Sequence, residues 1–191
     1  AWVGIDVEPV EADAWGRTRG LRINRVAEGS PADKAALERG DMLLRANGRP
    51  LSGPLDWEGV LLDLRAGDGL ALSVQGQSRT IELEAAQFPS TTAARVTLFR
   101  DIDLITVSAQ IQGELGLSND SGALIADISN ELMSRTRLQM GDVIIQMNRT
   151  RIRSADDAAS FFDALTGQQG RIIVYLERNN RYYTTSLSWR G

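Results

Sequence analysis

The chain has no histidine and no cysteine among its 191 residues. The first absence removes every Ser-His-Asp and Cys-His arrangement for nucleophilic catalysis, and with them the histidine-based zinc sites. The second removes thiol catalysis and thiolate metal sites. It fits an oxidising or a reducing compartment equally well. Long apolar runs are missing too. No stretch approaches the roughly 18 residues of a membrane span, so no membrane insertion by this segment is expected. Blocks of like charge are absent, and 21 Lys and Arg against 25 Asp and Glu leave a net charge of −4. That balance gives no pull toward nucleic acid or anionic lipid. No cofactor and no metal site is expected, and no nucleophile and base stand together as a catalytic set.

What is present is a pattern that occurs twice. Residues 20–48 read GLRINRVAEGSPADKAALERGDMLLRANG and residues 122–148 read GALIADISNELMSRTRLQMGDVIIQMN. Gly40-Asp41 and Gly141-Asp142 match at an offset of 141 − 40 = 101, as do Leu37 with Leu138, Leu43 with Ile144 and Asn47 with Asn148. A period of this length is a whole small domain rather than a solenoid unit. The expected organisation is a first domain over 1–86, a small, polar linker over 87–95 and a second domain over 96–191. The chain opens on Ala rather than Met and runs straight into an apolar strand, as a piece of a longer protein would.

Each copy predicts the same order of elements. In the first, a strand near Trp2–Val7 and another over Gly20–Val26 precede a short helix. Ser30 is suited to its N-cap and Pro31 to its first turn. Gly40 is expected to close that helix in a left-handed conformation. A strand over Asp41–Ala46 follows, with Asn47-Gly48 as a tight turn. Trp57, Val60, Leu61 and Leu64 recur at i, i+3, i+4 and i+7, which predicts a helix over 55–65. Leu70, Leu72, Val74, Ile81 and Leu83 then form a hairpin. The second copy supplies Ala158, Phe161, Phe162 and Leu165 at the same positions, with a helix over 155–165. Asn130-Glu131-Leu132 stands there in place of the Ser-Pro-Ala cap.

Gly29-Ser30-Pro31-Ala32, Ala36-Leu37, Gly40-Asp41-Met42-Leu43 and Asn47-Gly48, with Trp2-Val3-Gly4-Ile5 ahead of them, resemble a bacterial-type PDZ domain. The resemblance implies an α+β fold: two tandem, circularly permuted PDZ domains, each a small, partly open β-barrel or sandwich with two helices. The tandem is similar to the C-terminal half of HtrA/Deg-type serine proteases. That implies a bacterial envelope or periplasmic setting and an upstream trypsin-like protease domain. It also implies a non-catalytic segment whose partners are protein C-termini or unfolded polypeptide. The alternative is a docking or oligomerisation module that does not read C-termini.

PDZ domains bind by strand addition, so the resemblance assigns a peptide site. Val3, Gly4 and Ile5 are the candidate carboxylate loop, because glycine permits a turn whose N–H groups converge on one anion. Trp2 stands beside it, Ile5 and Val7 would lie on the pairing strand, and Trp57, Leu61 and Leu64 would wall the groove. Replacing Gly4 with Val is expected to abolish binding while leaving the fold largely intact. In the second copy the equivalent loop falls near Arg100–Ile105, with Asp103 near where glycine is expected and Ile102, Asp103, Leu104 and Ile105 as the groove candidates. A carboxylate there would repel a peptide terminus, and Phe161 and Phe162 would fill the pocket. Asp6, Glu8, Glu11 and Asp13 form a loose acidic run, expected to be a solvated surface.

Overall fold

The computed structural model describes residues 1–11, 19–77, 80–165 and 169–190. The chain divides into two compact units, Ala1–Thr91 and Thr92–Gly191. The first contains β1 (Ile5–Pro9), β2 (Leu21–Val26), α1 (Pro31–Lys34), β3 (Met42–Ala46), β4 (Arg49–Pro50), α2 (Pro54–Asp63), β5 (Gly69–Val74) and β6 (Ile81–Glu84). A short helix α3 (Pro89–Thr92) stands at the junction, inside the segment expected as linker. The second unit contains β7 (Arg95–Leu98), β8 (Ile102–Thr106), α4 (Ala109–Leu115), β9 (Ala123–Ile128) and α5 (Asn130–Thr136). It continues through β10 (Val143–Met147), β11 (Thr150–Arg151), α6 (Ala155–Asp163), β12 (Gln169–Arg178) and β13 (Arg181–Arg190).

Each unit is built on one antiparallel sheet. The first runs β1-β2-β3-β5-β6 with β4 on β3, and the second runs β7-β8-β9-β10-β12-β13 with β11 on β10. Among the described residues neither sheet closes into a barrel. Leu21, Ile23, Leu43, Leu70 and Leu72 are fully buried on the inner face of the first sheet and meet Trp57 and Val60 of α2. In the second, Leu104, Ile125, Ile144, Met147 and Val174 pack with Ala158 and Phe162 of α6.

Local chemistry sets the element ends. Ser30 caps α1 by accepting from Asp33 N at 3.1 Å, while Asp33 accepts from Gly29 N at 2.9 Å. The second copy keeps such a cap at Ser129, which accepts from Leu132 N at 3.2 Å, one residue before the stretch thought to have replaced it. Gly40 does not close α1, whose C-cap is Ala35; at φ +100° it opens the turn into β3. Its N–H donates to Ile23 O at 2.8 Å, and Gly141 repeats the turn by donating to Ile125 O at 2.9 Å. The last tight turns also correspond: Asn47 Oδ1 accepts from Ala71 N at 2.9 Å and Asn148 Oδ1 from Ile173 N at 2.8 Å.

Candidate functional site

The residues Trp2-Val3-Gly4 form a loop leading into β1. Trp2 exchanges two backbone hydrogen bonds with Ala86, each 2.8 Å, which ties the start of the domain to its end. Ala32 N donates to Val3 O at 3.1 Å and Ala27 N to Gly4 O at 2.9 Å. Both carbonyls are thus satisfied from one side. Neither N–H of Val3 or Gly4 finds an acceptor among the described residues, although both residues are buried. Gly4 holds φ at +79°, and a Cβ there would overlap the Cβ of Ser30 and lie 2.5 Å from its Oγ. Glycine is therefore required by conformation and by space. The expectation that Gly4→Val would spare the fold is corrected by this contact, since the branched side chain has nowhere to go.

Beyond the loop, β1 pairs with β2 and, among the described residues, with nothing on its other side. α2 packs beside β1. Of the residues singled out on the two walls, Trp2, Val3, Ile5, Trp57 and Leu64 are buried in the core. Val7 and Leu61 are half-buried at its margin. The apolar surface that α2 leaves open is elsewhere: Leu55 is 80% exposed and Leu62 is 85% exposed. They stand seven residues apart on one helix face. The sequence reading missed both, because it followed only the periodic set that turns inward. The acidic run is a surface feature where it is described. Asp6 pairs with Arg25 of β2 at 2.6 Å and Glu8 with Arg22 at 3.7 Å. Asp13 lies outside the described residues. No cluster of acidic side chains able to hold a metal ion occurs among the described residues.

The second domain departs from this plan at the same place. Ile5 and Ile102 both start a strand, at an offset of 102 − 5 = 97, and both strands carry a bulge after the next residue, Asp6 or Asp103. Ser129 N donates to Asp101 O at 2.8 Å, as Ala27 N does to Gly4 O. Asp101 is therefore the counterpart of Gly4, and Asp103 the counterpart of Asp6. This corrects the placement of Asp103 in the loop. Ile102, Leu104, Ile105 and Phe162 are buried. Phe161 is half-buried, with its ring edge-on to Phe162 at 6.0 Å. The loop itself is a tight turn in which Phe99 and Arg100 hold φ at +53° and +63°.

β7 lies along the outer edge of β8, antiparallel, with Arg95 opposite Ile105, Val96 opposite Leu104, Thr97 opposite Asp103 and Leu98 opposite Ile102. Asp103 accepts from the Thr97 hydroxyl at 2.6 Å and pairs with Arg95 at 3.2 Å. The Thr97 hydrogen bond, followed by Arg95, holds the Asp103 carboxyl below its ordinary value of 3.8, against the opposing effect of burial. Asp127 of β9, opposite Asp103 on the other side, is occupied with Ile128 N at 2.9 Å. A carboxyl whose folded-state pKa is depressed stabilises the fold above its unfolded value, and loses that contribution as pH falls through the folded one. Wild type should therefore exceed Asp103→Asn in stability at neutral pH. The difference should shrink on acidification below 3.8, measured by urea denaturation of both chains across the acid range. A difference independent of pH would dissociate Asp103 from the grip on β7.

Residues 2–86 match the PDZ domain family. The second unit repeats its strand and helix order with β7 and α4 added, so the fold is an α+β tandem of PDZ type. The chain is 27% identical over 171 residues to a probable periplasmic serine endoprotease DegP-like of Rhizobium meliloti, covering 82% of this chain and 34% of that protein. It is 27% identical over 179 residues to a protein of the same description from Marinomonas, with 83% and 36% covered. It is 25% identical over 167 residues to the periplasmic serine endoprotease DegP of Salmonella typhimurium, with 83% and 34% covered. The chain spans about a third of the length of these relatives. It resembles the C-terminal PDZ region of DegP-like proteases rather than their protease domain. No helix among the described residues is long and apolar enough to cross a membrane.

Proposed function

We propose that the first PDZ domain binds the C-terminus of a peptide or unfolded polypeptide by strand addition, as the regulatory module of a DegP-like serine endoprotease of the bacterial envelope. The observation that carries this reading is the pair of N–H groups on the buried residues Val3 and Gly4 that find no acceptor among the described residues, at the head of the edge of β1 on which no described strand pairs. A buried N–H without a partner costs free energy, and a terminal carboxylate would supply two acceptor oxygens at that point. The peptide backbone would then run antiparallel along β1, with α2 as the opposite wall. Val7 and Leu61 at the margin favour apolar side chains. In this reading the chain itself carries no catalysis. It captures a substrate that a protease domain cleaves, in the periplasm.

Titration calorimetry with an apolar-ended peptide tests this. The free-acid form should bind in the micromolar range, about −8 kcal/mol or weaker. Amidation should remove most of that affinity, because the charge-assisted hydrogen bonds to the loop are lost. Equal binding of the two forms would reject the carboxylate loop.

For the second domain a different reading is favoured, docking or assembly without recognition of C-termini. Its support is the strand β7, which lies on the edge that β1 leaves open.

A further inference from the structure

The geometry points to a second peptide slot in this chain, between β8 and α6, that takes an extended internal segment of the pattern Φ-x-Φ and is filled by the chain's own residues Arg95–Leu98. β8 is the counterpart of β1 by its bulge and by the Asp101 hydrogen bond. β7 occupies the edge on which β1 has no partner among the described residues, and it also packs against α6. Its direction is informative. An antiparallel strand on this edge ends at the loop, and β7 does so, entering the Phe99-Arg100-Asp101 turn directly from Leu98.

Its side chains behave as those of a bound strand. Leu98 is 7% exposed, packed in the core with Ile102 and Phe162, and Val96 is half-buried beside them. Phe99 sets its ring edge-on to Phe162 at 5.2 Å. Arg95 and Thr97 alternate outward and are held by Asp103. In the first domain the equivalent Asp6 turns the other way, to Arg25 of β2, and leaves the edge of β1 unclaimed. The turn that replaces the glycine loop has no chain end to receive. The slot is therefore built for the middle of a chain, not for a terminus.

The strand β7 is a tethered ligand, and its release opens a site for an unfolded segment of like pattern. This inference rests on strand addition as the binding mode of the fold, and the experiment separates the two. The probe is a labelled peptide copying Ala94–Phe99, acetylated and amidated so that it offers no carboxylate to the first domain. It is titrated against the full chain as wild type, as Val96→Asp/Leu98→Asp, and as Thr97→Glu, which sets two carboxylates opposite each other. Amide hydrogen exchange reports whether β9–β12 stay protected and whether the peptide protects β8 or β1. A free-acid peptide in a parallel titration reports the first domain alone.

Wild type should bind the amidated probe weakly or not at all. A released variant should keep β9–β12 protected and bind on the order of tenfold more tightly or better, with new protection on β8. The inference is overturned if Val96→Asp/Leu98→Asp unfolds the domain while Thr97→Glu gains nothing, since β7 is then an integral strand. It is equally overturned if both variants stay folded without gain, or if the probe protects β1. A first domain that fails to bind the free acid, with β8 still protected by the probe, would count against the carboxylate loop and leave the second slot standing.

Discussion

Arg178→Met should lower the stability of the second domain by about 3 kcal/mol. Asp142 is completely buried, and three N–H groups converge on its two carboxyl oxygens. Arg178 Nε donates to Oδ1 at 2.6 Å, Arg178 Nη2 to Oδ2 at 2.7 Å, and Gln139 N to Oδ2 at 2.8 Å. The carboxylate in turn raises the pKa of the guanidinium and keeps it charged. The same guanidinium donates to Arg137 O at 3.0 Å and stands 5.4 Å from the centre of the Tyr183 ring. A methionine keeps much of the packing and leaves a buried charge with one neutral donor. Orphaning a buried ion costs far more than an exposed ion pair contributes. Equilibrium urea denaturation followed by amide hydrogen exchange across β9–β12 gives the measurement. Asp142→Asn/Arg178→Met should recover most of the loss, because both charges leave together. If the double variant is as unstable as the single one, the cost lies in packing and not in the orphaned carboxylate.

Gly4→Ala should destabilise the first domain by about 3 kcal/mol and abolish its peptide binding. Two costs add: a non-glycine residue held at φ +79°, on the order of 1 to 2 kcal/mol, and forced overlap with Ser30, of similar size. The second cost has an identifiable source, so it can be removed. Glycine at an N-cap costs only a few tenths of a kcal/mol, which makes Ser30→Gly a gentle way to clear the space. In that background Gly4→Ala should cost only about 1 kcal/mol. A double-mutant cycle by thermal or urea unfolding measures the coupling. Additive effects would mean that the loop shifts away from Ser30 and that the two residues are not in register as described.

The parts of this chain legible in its sequence are those in which a side chain answers a nearby backbone group. Ser30, Gly40, Asp41 and Asn47 each act within a turn or at a strand end. Their partners in the second copy do the same, which is why Gly141-Asp142 and Asn148 matched at a constant offset. The helix carrying Trp57 and Val60 was legible for a related reason, since its burial follows its own period. The strand β7 was not. Arg-Val-Thr-Leu is four residues long, alternating and half polar, and only its distant partner distinguishes it from linker.

The same limit misplaced Asp103. The connection from β1 to β2 advances 21 − 9 = 12 positions, and that from β8 to β9 advances 123 − 106 = 17. The longer one contains α4, a helix of seven residues capped by Ser108 and closed by Gly116 at φ +63°. Counting backward from Gly122 through that insertion shifts every upstream residue. The flags Ser108 and Gly116 were visible, but a single turn or two of helix between strands has little periodicity to announce it.

The turn at Phe99-Arg100-Asp101 also sets a competition in concentration. A strand joined to its partner by so short a connection is present at an effective concentration of millimolar order or above. A free segment making the same contacts with β8 would have to reach that level to displace half of it. The edge of β1 has no such rival among the described residues, so under the proposed function its occupancy would follow the bulk supply of chain ends from zero upward. On these proposals one edge would act as a graded sensor. The other would have a threshold, its height set by the three residues of a turn rather than by the contacts along the strand.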